Sequence, residues 1–444
     1  MKILLVGNGA REHAICSALK RSPKNPGLFA FMTAKNPGIV KLCKDFKIGD
    51  TCDAKAVCDY ALNKNINFVV VGPEAPLAAG VCDELENNGI GCVGPKKVAA
   101  QIETNKAFAR NLMKKYKIPG TPEFKVFTDA EQAVEFIKNS GKDWAIKPAG
   151  LTGGKGVKIM GEHLKNLDEV RSYIKKVLTT DRVIIEEKLI GEEVTIQAFV
   201  DGKTVIGTPM VQDHKRAYEG DVGPNTGGMG SYSDKGYILP FLTQEDYDAG
   251  IEIMKRAVLA IKKETGVEYK GFLYGQFIIA EKLMVIEFNA RFGDPEAMNT
   301  FSILKSDFVE ICKGIINGNL NEIEDLKFKD KATVCKYIVP GGYPENPKSG
   351  LEIVVDEKKI EEMGALIYYA AVDEKDNKIY TSSSRAAGIV GIADTIEDAE
   401  KIAENAVECV KGDVFHRKDI GTCALVQKRV EHIRVIRGYP STES

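Results

Sequence analysis

The sequence predicts a multidomain α/β protein: a Rossmann-like domain at the N-terminus, a larger central domain of strands and helices, and a small C-terminal α+β domain. Three observations carry this. The chain has 444 residues, more than one hydrophobic core ordinarily serves, so roughly two to four domains are expected. It opens on the apolar run Ile3-Leu4-Leu5-Val6, then Gly7-Asn8-Gly9 and a helical pattern through Ile15 and Leu19, the strand, tight turn and helix of a doubly wound unit. Further on, Leu283-Met284-Val285-Ile286-Glu287-Phe288-Asn289 reads as a buried strand interrupted by two polar residues. Those two stand at alternate positions, so both leave the same face of the sheet. Paired oxygen ligands on one rigid face suit a hard cation such as magnesium; a strand end facing solvent is the plainer alternative.

With 61 Lys+Arg against 63 Asp+Glu, no overall field draws the chain to nucleic acid or an anionic membrane. An anionic ligand must therefore be held by a local cluster. No apolar run reaches the roughly 18 residues that cross a bilayer, and Met1 leads directly into a strand without a cleavable leader. These features predict a cytoplasmic protein, a monomer or weak dimer, with small-molecule partners, no nucleic acid and no membrane. Its ten cysteines form no CxxC pair and are expected to be reduced and mostly buried.

The first domain is expected over residues 1–103. Phe68 to Val71 runs into Gly72-Pro73-Glu74, and Gly91-Cys92-Val93 into Gly94-Pro95, both exits at the carboxyl edge of a parallel sheet, where ligands bind. The opening glycines invite a dinucleotide reading. However, Glu12 stands where that fingerprint has its third glycine, and a carboxylate repels a pyrophosphate. A single phosphate on the helix N-terminus, assisted by Arg11 and His13, is the other reading.

The central domain is expected over 104–330. Helical spacing from Val98 to Tyr116 is broken by Ile118-Pro119-Gly120-Thr121-Pro122. Trp144 to Pro148 is a strand carrying Lys147, followed by a loop with Gly150, Gly153, Gly154, Lys155 and Gly156. Such a loop can close backbone N–H groups over phosphates while Lys155 supplies charge. The G-x-x-x-x-G-K-[ST] order fails because Gly156 follows the lysine, and a bare hairpin turn is the alternative. Asp181 to Thr195 reads as strand, connector and strand, the connector offering backbone groups to an adenine edge and a carboxylate to ribose. One helix is expected from Glu296 toward Ile316. The closing domain, 331–436, contains strands within Ala332–Pro340, Leu366–Ala370 and Gly388–Ile392, then an amphipathic helix from Thr395 to Val410 capped by Thr395. Arg385, alone after three serines, reads as a surface residue, a reach into the site being the alternative. The tail, 437–444, has no core signal.

Lys147, the loop with Lys155, the Glu186 to Glu193 connector and Glu287-x-Asn289 recur in the order seen in ATP-grasp ligases. Gln212-Asp213-His214-Lys215-Arg216, Gly223-Pro224-Asn225-Thr226-Gly227-Gly228-Met229-Gly230-Ser231-Tyr232 and Phe288-Asn289-x-Arg291-Phe292-Gly293-Asp294-Pro295-Glu296 are closer still. With Gly7-Asn8-Gly9-x-Arg11-Glu12-His13, they resemble the phosphoribosylamine–glycine ligase (glycinamide ribonucleotide synthetase) family over nearly the whole chain. The resemblance implies a central ATP-grasp fold with a lid subdomain at about 122–192, and ATP with Mg2+ or Mn2+ as cofactors. It implies a carbon–nitrogen ligase of de novo purine biosynthesis that joins glycine to 5-phosphoribosylamine. A glycyl phosphate would be the intermediate, and glycinamide ribonucleotide, ADP and phosphate the products.

The same resemblance implies roles for residues. Lys106 and Lys147 would hold the ATP phosphates, Gly153, Gly154 and Lys155 the lid, Glu186, Glu187 and Leu189 the adenine, and Glu193 the ribose. Gln276, Glu287 and Asn289 would hold the metal, Gln276 standing where relatives carry a carboxylate. Arg291 would pair with the glycine carboxylate and Asp213 or Asp294 with its ammonium group, with His214, Lys215, Thr226 and Gly227 around the substrates. Gly9, Arg11 and Glu74 would face the sugar phosphate. Arg291, Asp294, Lys155 and Asp213 are the catalytic candidates. Two other classes compete: a nicotinamide dehydrogenase, which needs a true glycine fingerprint, and a non-catalytic ATP-binding regulator, which has no need of Lys147, Lys155, Glu287 and Asn289.

Overall fold

Five parallel strands make the N-terminal sheet in the order Asp45–Ile48, Gly27–Met32, Lys2–Val6, Phe68–Val71, Gly91–Val93. The strand order reverses beside Lys2–Val6, so the loops at Gly7 and Gly72 lie next to each other at the carboxyl edge, where this topology opens a crevice. These strands are apolar on both faces because helices cover both sides, and Ile3, Leu4, Leu5 and Val6 are buried. The computed structural model describes residues 1–150, 156–323 and 326–438, and the expected lid residues Gly153, Gly154 and Lys155 lie outside them.

Two four-stranded antiparallel sheets follow. The first has the order Phe124–Phe127, Val183–Glu187, Trp144–Pro148, Lys158–Ile159, with helices Ala130–Ser140 and Leu167–Leu178 packed over Trp144, Ile146, Val183 and Ile185. The second has the order Val205–Gly207, Glu192–Asp201, Lys270–Ile279, Leu283–Asn289, backed by the long helix Gln244–Thr265. Two expected helices are divided. Val98 to Tyr116 contains the helices Gln101–Thr104 and Lys106–Lys115, separated where the Asn105 side chain accepts the Phe108 N–H and starts a new helix. The stretch from Glu296 to Ile316 contains Glu296–Ile303 and Phe308–Asn317, with Asp307 capping the second.

A further antiparallel sheet runs Gln212–Asp213, Gly230–Ser233, Ala332–Pro340, Ala387–Ala393, Leu366–Tyr369. Val414–Phe415 also pairs with Ala332–Pro340, and the sheet crosses residue 331: two strands come from the central stretch and four from the C-terminal one. Helix Ile396–Val407, capped by Thr395, covers it. The cysteines are free, and none of the described helices is long and apolar enough to cross a membrane.

His13 joins the first domain to the last. The Tyr369 N–H donates to His13 Nδ1 at 3.0 Å, and the two rings stack. Burial, opposed by Glu357, pushes the imidazole down to about 4 from 6.5. The ring is neutral and structural, which replaces the phosphate-assisting role. Its folded pKa lies below the unfolded one, so its stabilisation is complete above pH 6.5 and is lost as pH falls toward 4. Thermal melts should therefore fall across this window, and His13→Gln should flatten the slope; an unchanged slope in the variant would contradict this.

Candidate active site

The strand Leu283–Asn289 carries the expected metal pair, but its alternation alone would place Val285 on the same face as Glu287. The register resolves this: Gln276 pairs with Glu287 while Phe277 pairs with Val285, so Ile286 is an extra, bulged residue. A bulge reverses side-chain parity, turning Val285 into the core and Glu287 and Asn289 toward a cavity. Arg110 secures it, its Nη2 donating to the carbonyls of Val285 at 3.1 Å and Ile286 at 2.5 Å.

Arg110 is buried and was not legible as a site residue. Its guanidinium also pairs with Glu186, Nε to Oε2 at 2.6 Å, and Lys147 Nζ meets Glu186 Oε1 at 2.5 Å. Burial raises the Glu186 carboxyl, but Arg110 and Lys147 outweigh this and hold it down to about 2. Glu186 is thus a buried counter-ion, and its carboxylate is not free to line adenine. The Glu187 carboxylate accepts the N–H of Glu123, just before the neighbouring strand, and Leu189 is half-buried outside this cavity. Lys106 starts its helix and lines the same cavity as Lys147, Glu287 and Asn289, with its Nζ on the Gly150 carbonyl at 2.7 Å. Burial raises the Glu287 carboxyl, yet Lys215, Lys106 and Lys147 together bring it below the usual glutamate range. Lys106 and Lys147 share the cavity with Glu287, and the charge of Lys215 reaches the same carboxylate, an arrangement suited to a polyphosphate beside a cation.

Gln276 lies opposite Glu287 on one side and opposite Thr195 on the other, and Glu193, two residues before Thr195, is its diagonal neighbour on the same face, which brings Glu193, Gln276 and Glu287 together. Gln276 Nε2 and Lys215 Nζ donate to Glu193 Oε2 at 2.6 and 3.0 Å. The Gln276 amide oxygen is not used in that bond. Asn289 Nδ2 leans on Glu287 Oε1 at 3.4 Å, which likewise spares its oxygen. One carboxylate and two amide oxygens on neighbouring strands form a donor set that fits a hard divalent cation.

Asp213 has a buried Oδ1 with no hydrogen-bond partner among the described residues. Burial, partly offset by Lys215, pushes its carboxyl up to about 7. An orphaned carboxylate oxygen is costly unless a ligand completes it. His214 does not belong to this surface. It is buried beside Tyr232, both ring nitrogens lack hydrogen-bond partners among the described residues, and burial drives it down to about 3. Thr226 Oγ1 donates to the Lys215 carbonyl and accepts the Gly228 N–H, so its hydroxyl holds the loop rather than a substrate.

Arg291 lines the cavity, but its own chain already engages it. Nε meets Glu74 Oε2 at 3.1 Å, Nη2 meets Glu103 Oε1 at 3.0 Å, and Nη1 reaches the Phe292 carbonyl at 3.3 Å. Each terminal nitrogen keeps one further N–H. Glu103, the partner that sequence reading missed, also accepts the Ala290 N–H at 2.7 Å, and burial raises it to about 7 against the pull of Arg291. At the N-terminal loop, Glu12 Oε2 accepts the Gly9 N–H at 2.7 Å. A Cβ on Gly7 would stand 2.7 Å from Glu12 Cγ, and one on Gly72 would also collide with Glu12. The crevice that elsewhere holds pyrophosphate is filled by this carboxylate. Arg11 donates through Nε to Glu12 at 2.6 Å and through Nη1 to the Phe292 carbonyl at 3.1 Å, with its Nη2 3.9 Å from Glu74, so a phosphate would share it with these partners.

Asp294 lies beside Gly9, its Oδ2 3.7 Å from where a Gly9 Cβ would stand. Tyr337 donates to its Oδ1 at 2.5 Å, and Arg385 Nη2 lies 3.3 Å from the same atom. Arg385 is therefore not a surface residue. Its Nη1 also donates to the Gly227 carbonyl, giving that glycine a structural partner. The site thus separates into a cavity with Lys106, Lys147, Glu287, Asn289, Arg291 and Glu74, an adjoining group around Glu193, and a wall where Gly9 meets Asp294.

Comparison with known proteins agrees with this layout. The chain matches the phosphoribosylglycinamide synthetase N domain over residues 1–103, its ATP-grasp (A) domain over 104–297 and its C domain over 333–423. It is 55% identical to a phosphoribosylamine–glycine ligase of Methanosarcina barkeri over 99% of this chain and 100% of that protein. It is 50% identical to that of Methanocaldococcus jannaschii over 98% and 100%. The crystal structure of phosphoribosylamine–glycine ligase from Thermotoga maritima is similar, with TM-score 0.80, 28% identity and coverage of 94% and 100%. The biotin carboxylase domain of Hydrogenobacter thermophilus 2-oxoglutarate carboxylase, solved with MgADP, shares the fold at TM-score 0.71 and 17% identity, covering 99% and 96%. With its site built on an ATP-grasp core between these N and C domains, the chain belongs to the phosphoribosylamine–glycine ligase family.

Proposed function

We propose that this protein joins glycine to 5-phosphoribosylamine at the expense of ATP, through a glycyl phosphate, giving glycinamide ribonucleotide, ADP and phosphate. The observation that carries the reading is the single cavity lined by Lys106, Lys147, Glu287 and Asn289, together with the family. A carboxylate does not acylate an amine in water; attack by glycine on the γ-phosphate makes it an electrophile. Two anions must meet, and Lys106 and Lys147 offset their repulsion as charge moves between them. Gln276, Glu287 and Asn289 would hold a divalent cation, magnesium or manganese, which would supply screening of the phosphate charge. Glu193 serves the ribose. Lys155, with Gly153 and Gly154, closes the lid subdomain, 122–192, over the intermediate and excludes water.

Two carboxylates divide the amines. Asp213, with its unpaired oxygen, receives the glycine ammonium, and the spare N–H groups of Arg291 take the glycine carboxylate. Asp294, turned to Gly9, serves phosphoribosylamine. We divide the chain at 103/104 and 330/331, the C-terminal stretch completing a sheet begun in the centre. Hydroxylamine added with ATP, the divalent cation and glycine should trap the acyl phosphate as glycine hydroxamate. ATP turnover without any hydroxamate would count against the intermediate.

Arg291→Lys keeps the charge but cannot span Glu74, Glu103 and a substrate carboxylate together. Its KM for glycine should rise roughly 10-fold while the KM for ATP stays near wild type. If only the ATP constant moves, Arg291 belongs to the nucleotide.

A further inference from the structure

We infer that Tyr337 and Arg385 are positioning residues that aim Asp294 at the amine of the phosphorylated sugar; this rests on the ligase reading above. The two carboxylate oxygens of Asp294 have different surroundings. Its Oδ1 accepts from the Tyr337 hydroxyl at 2.5 Å and faces Arg385 Nη2 at 3.3 Å, leaving Oδ2 toward Gly9. The carboxylate is held through Oδ1, and its other oxygen, Oδ2, lies beside the N-terminal loop.

Arg385 does more than pair with a charge. One terminal nitrogen, Nη1, donates to the carbonyls of Gly227 and Gly228, both at 2.9 Å, and of Asp294 at 3.0 Å. Its guanidinium lies 4.3 Å above the Tyr337 ring. A Cβ at Gly227 would fall 3.0 Å from Nη2, so a larger residue there would press on the guanidinium. The planar fork therefore binds the Gly227-Gly228 loop, the Asp294 turn and the C-terminal sheet into one unit, a geometry that a lysine cannot reproduce. Tyr337 stands on strand Ala332–Pro340, and Arg385 lies two residues before strand Ala387–Ala393 begins. The third domain thus sets the geometry of a group that faces the first.

The acid activation of glycine needs neither residue. The consequence is a split between the two half-reactions, which a general packing role would not produce. In Tyr337→Phe, which keeps the ring under the guanidinium and removes only the hydroxyl, the KM for freshly generated phosphoribosylamine should rise roughly 10-fold. The KM values for glycine and ATP should stay near wild type, as should hydroxamate formation from ATP, glycine and hydroxylamine in the absence of phosphoribosylamine. Arg385→Lys should show the same split, and Asp294→Asn combined with Tyr337→Phe should lose no more than Asp294→Asn alone. Hydroxamate formation and ligation falling in parallel would overturn the inference, as would an unchanged KM for phosphoribosylamine in Tyr337→Phe. A wild-type enzyme that forms no hydroxamate and releases no ADP would instead refute the ligase reading itself.

Discussion

Glu287→Gln should lose turnover by roughly 100-fold or more while still folding cooperatively. The substitution is isosteric, and Glu287 is partly exposed toward the cavity, so packing is preserved. What changes is charge. Lys215, Lys106 and Lys147 face this carboxylate, and a neutral amide leaves the lysines repelling one another and the cation with a single class of weak donor. Steady-state rates over a magnesium titration, with a melt of the same preparation, check this. A variant that folds and turns over like wild type would remove Glu287 from the metal.

The largest effect on stability is expected at Glu186. It is buried, with 2% exposure, between Arg110 and Lys147. Removing one member of a buried ion pair strands the partner charges, at a cost of about 3–5 kcal/mol, and here two cations are stranded. Glu186→Gln should lower the denaturation midpoint accordingly. Turnover should fall as well, because Arg110 holds the Ile286 bulge that turns Glu287 into the cavity. The carboxyl is held down to about 2 from 4.5, so its stabilisation is complete above pH 4.5 and is lost as pH falls toward 2. The variant should have a flatter acid limb; a midpoint shift below about 1 kcal/mol would show that the pair is solvated.

Much of this was legible in the chain itself. The opening strand, turn and helix follow from local pattern, and Glu12 announced that the crevice is not a dinucleotide site because its chemistry is wrong wherever it points. The Trp144–Pro148 strand and the polar pair Glu287 and Asn289 are likewise periodic signals. The rest depends on tertiary contact. The bulge at Ile286 reverses a parity that alternation alone misassigns, and nothing in Val285-Ile286-Glu287 marks which residue is extra. Arg110 and Glu103 sit in helices where a charged residue reads as solvated surface, and their burial appears only when another strand arrives. Arg291 looked free for a substrate because its partners Glu74 and Glu103 lie far away in sequence. Arg385 looked exposed for the same reason. His13 and His214 resembled ligands, and burial makes both neutral core residues.

The most direct measurement is ADP release by the purified protein from ATP and magnesium, with glycine and freshly generated phosphoribosylamine supplied together, singly or not at all, and with alanine replacing glycine. The account predicts rapid ADP release only when both substrates are present, and weak activity with alanine, since excluding one methyl group is worth only about 1–3 kcal/mol. ADP release that is equally fast without glycine or without phosphoribosylamine, or that requires a different carboxylic acid, would contradict it.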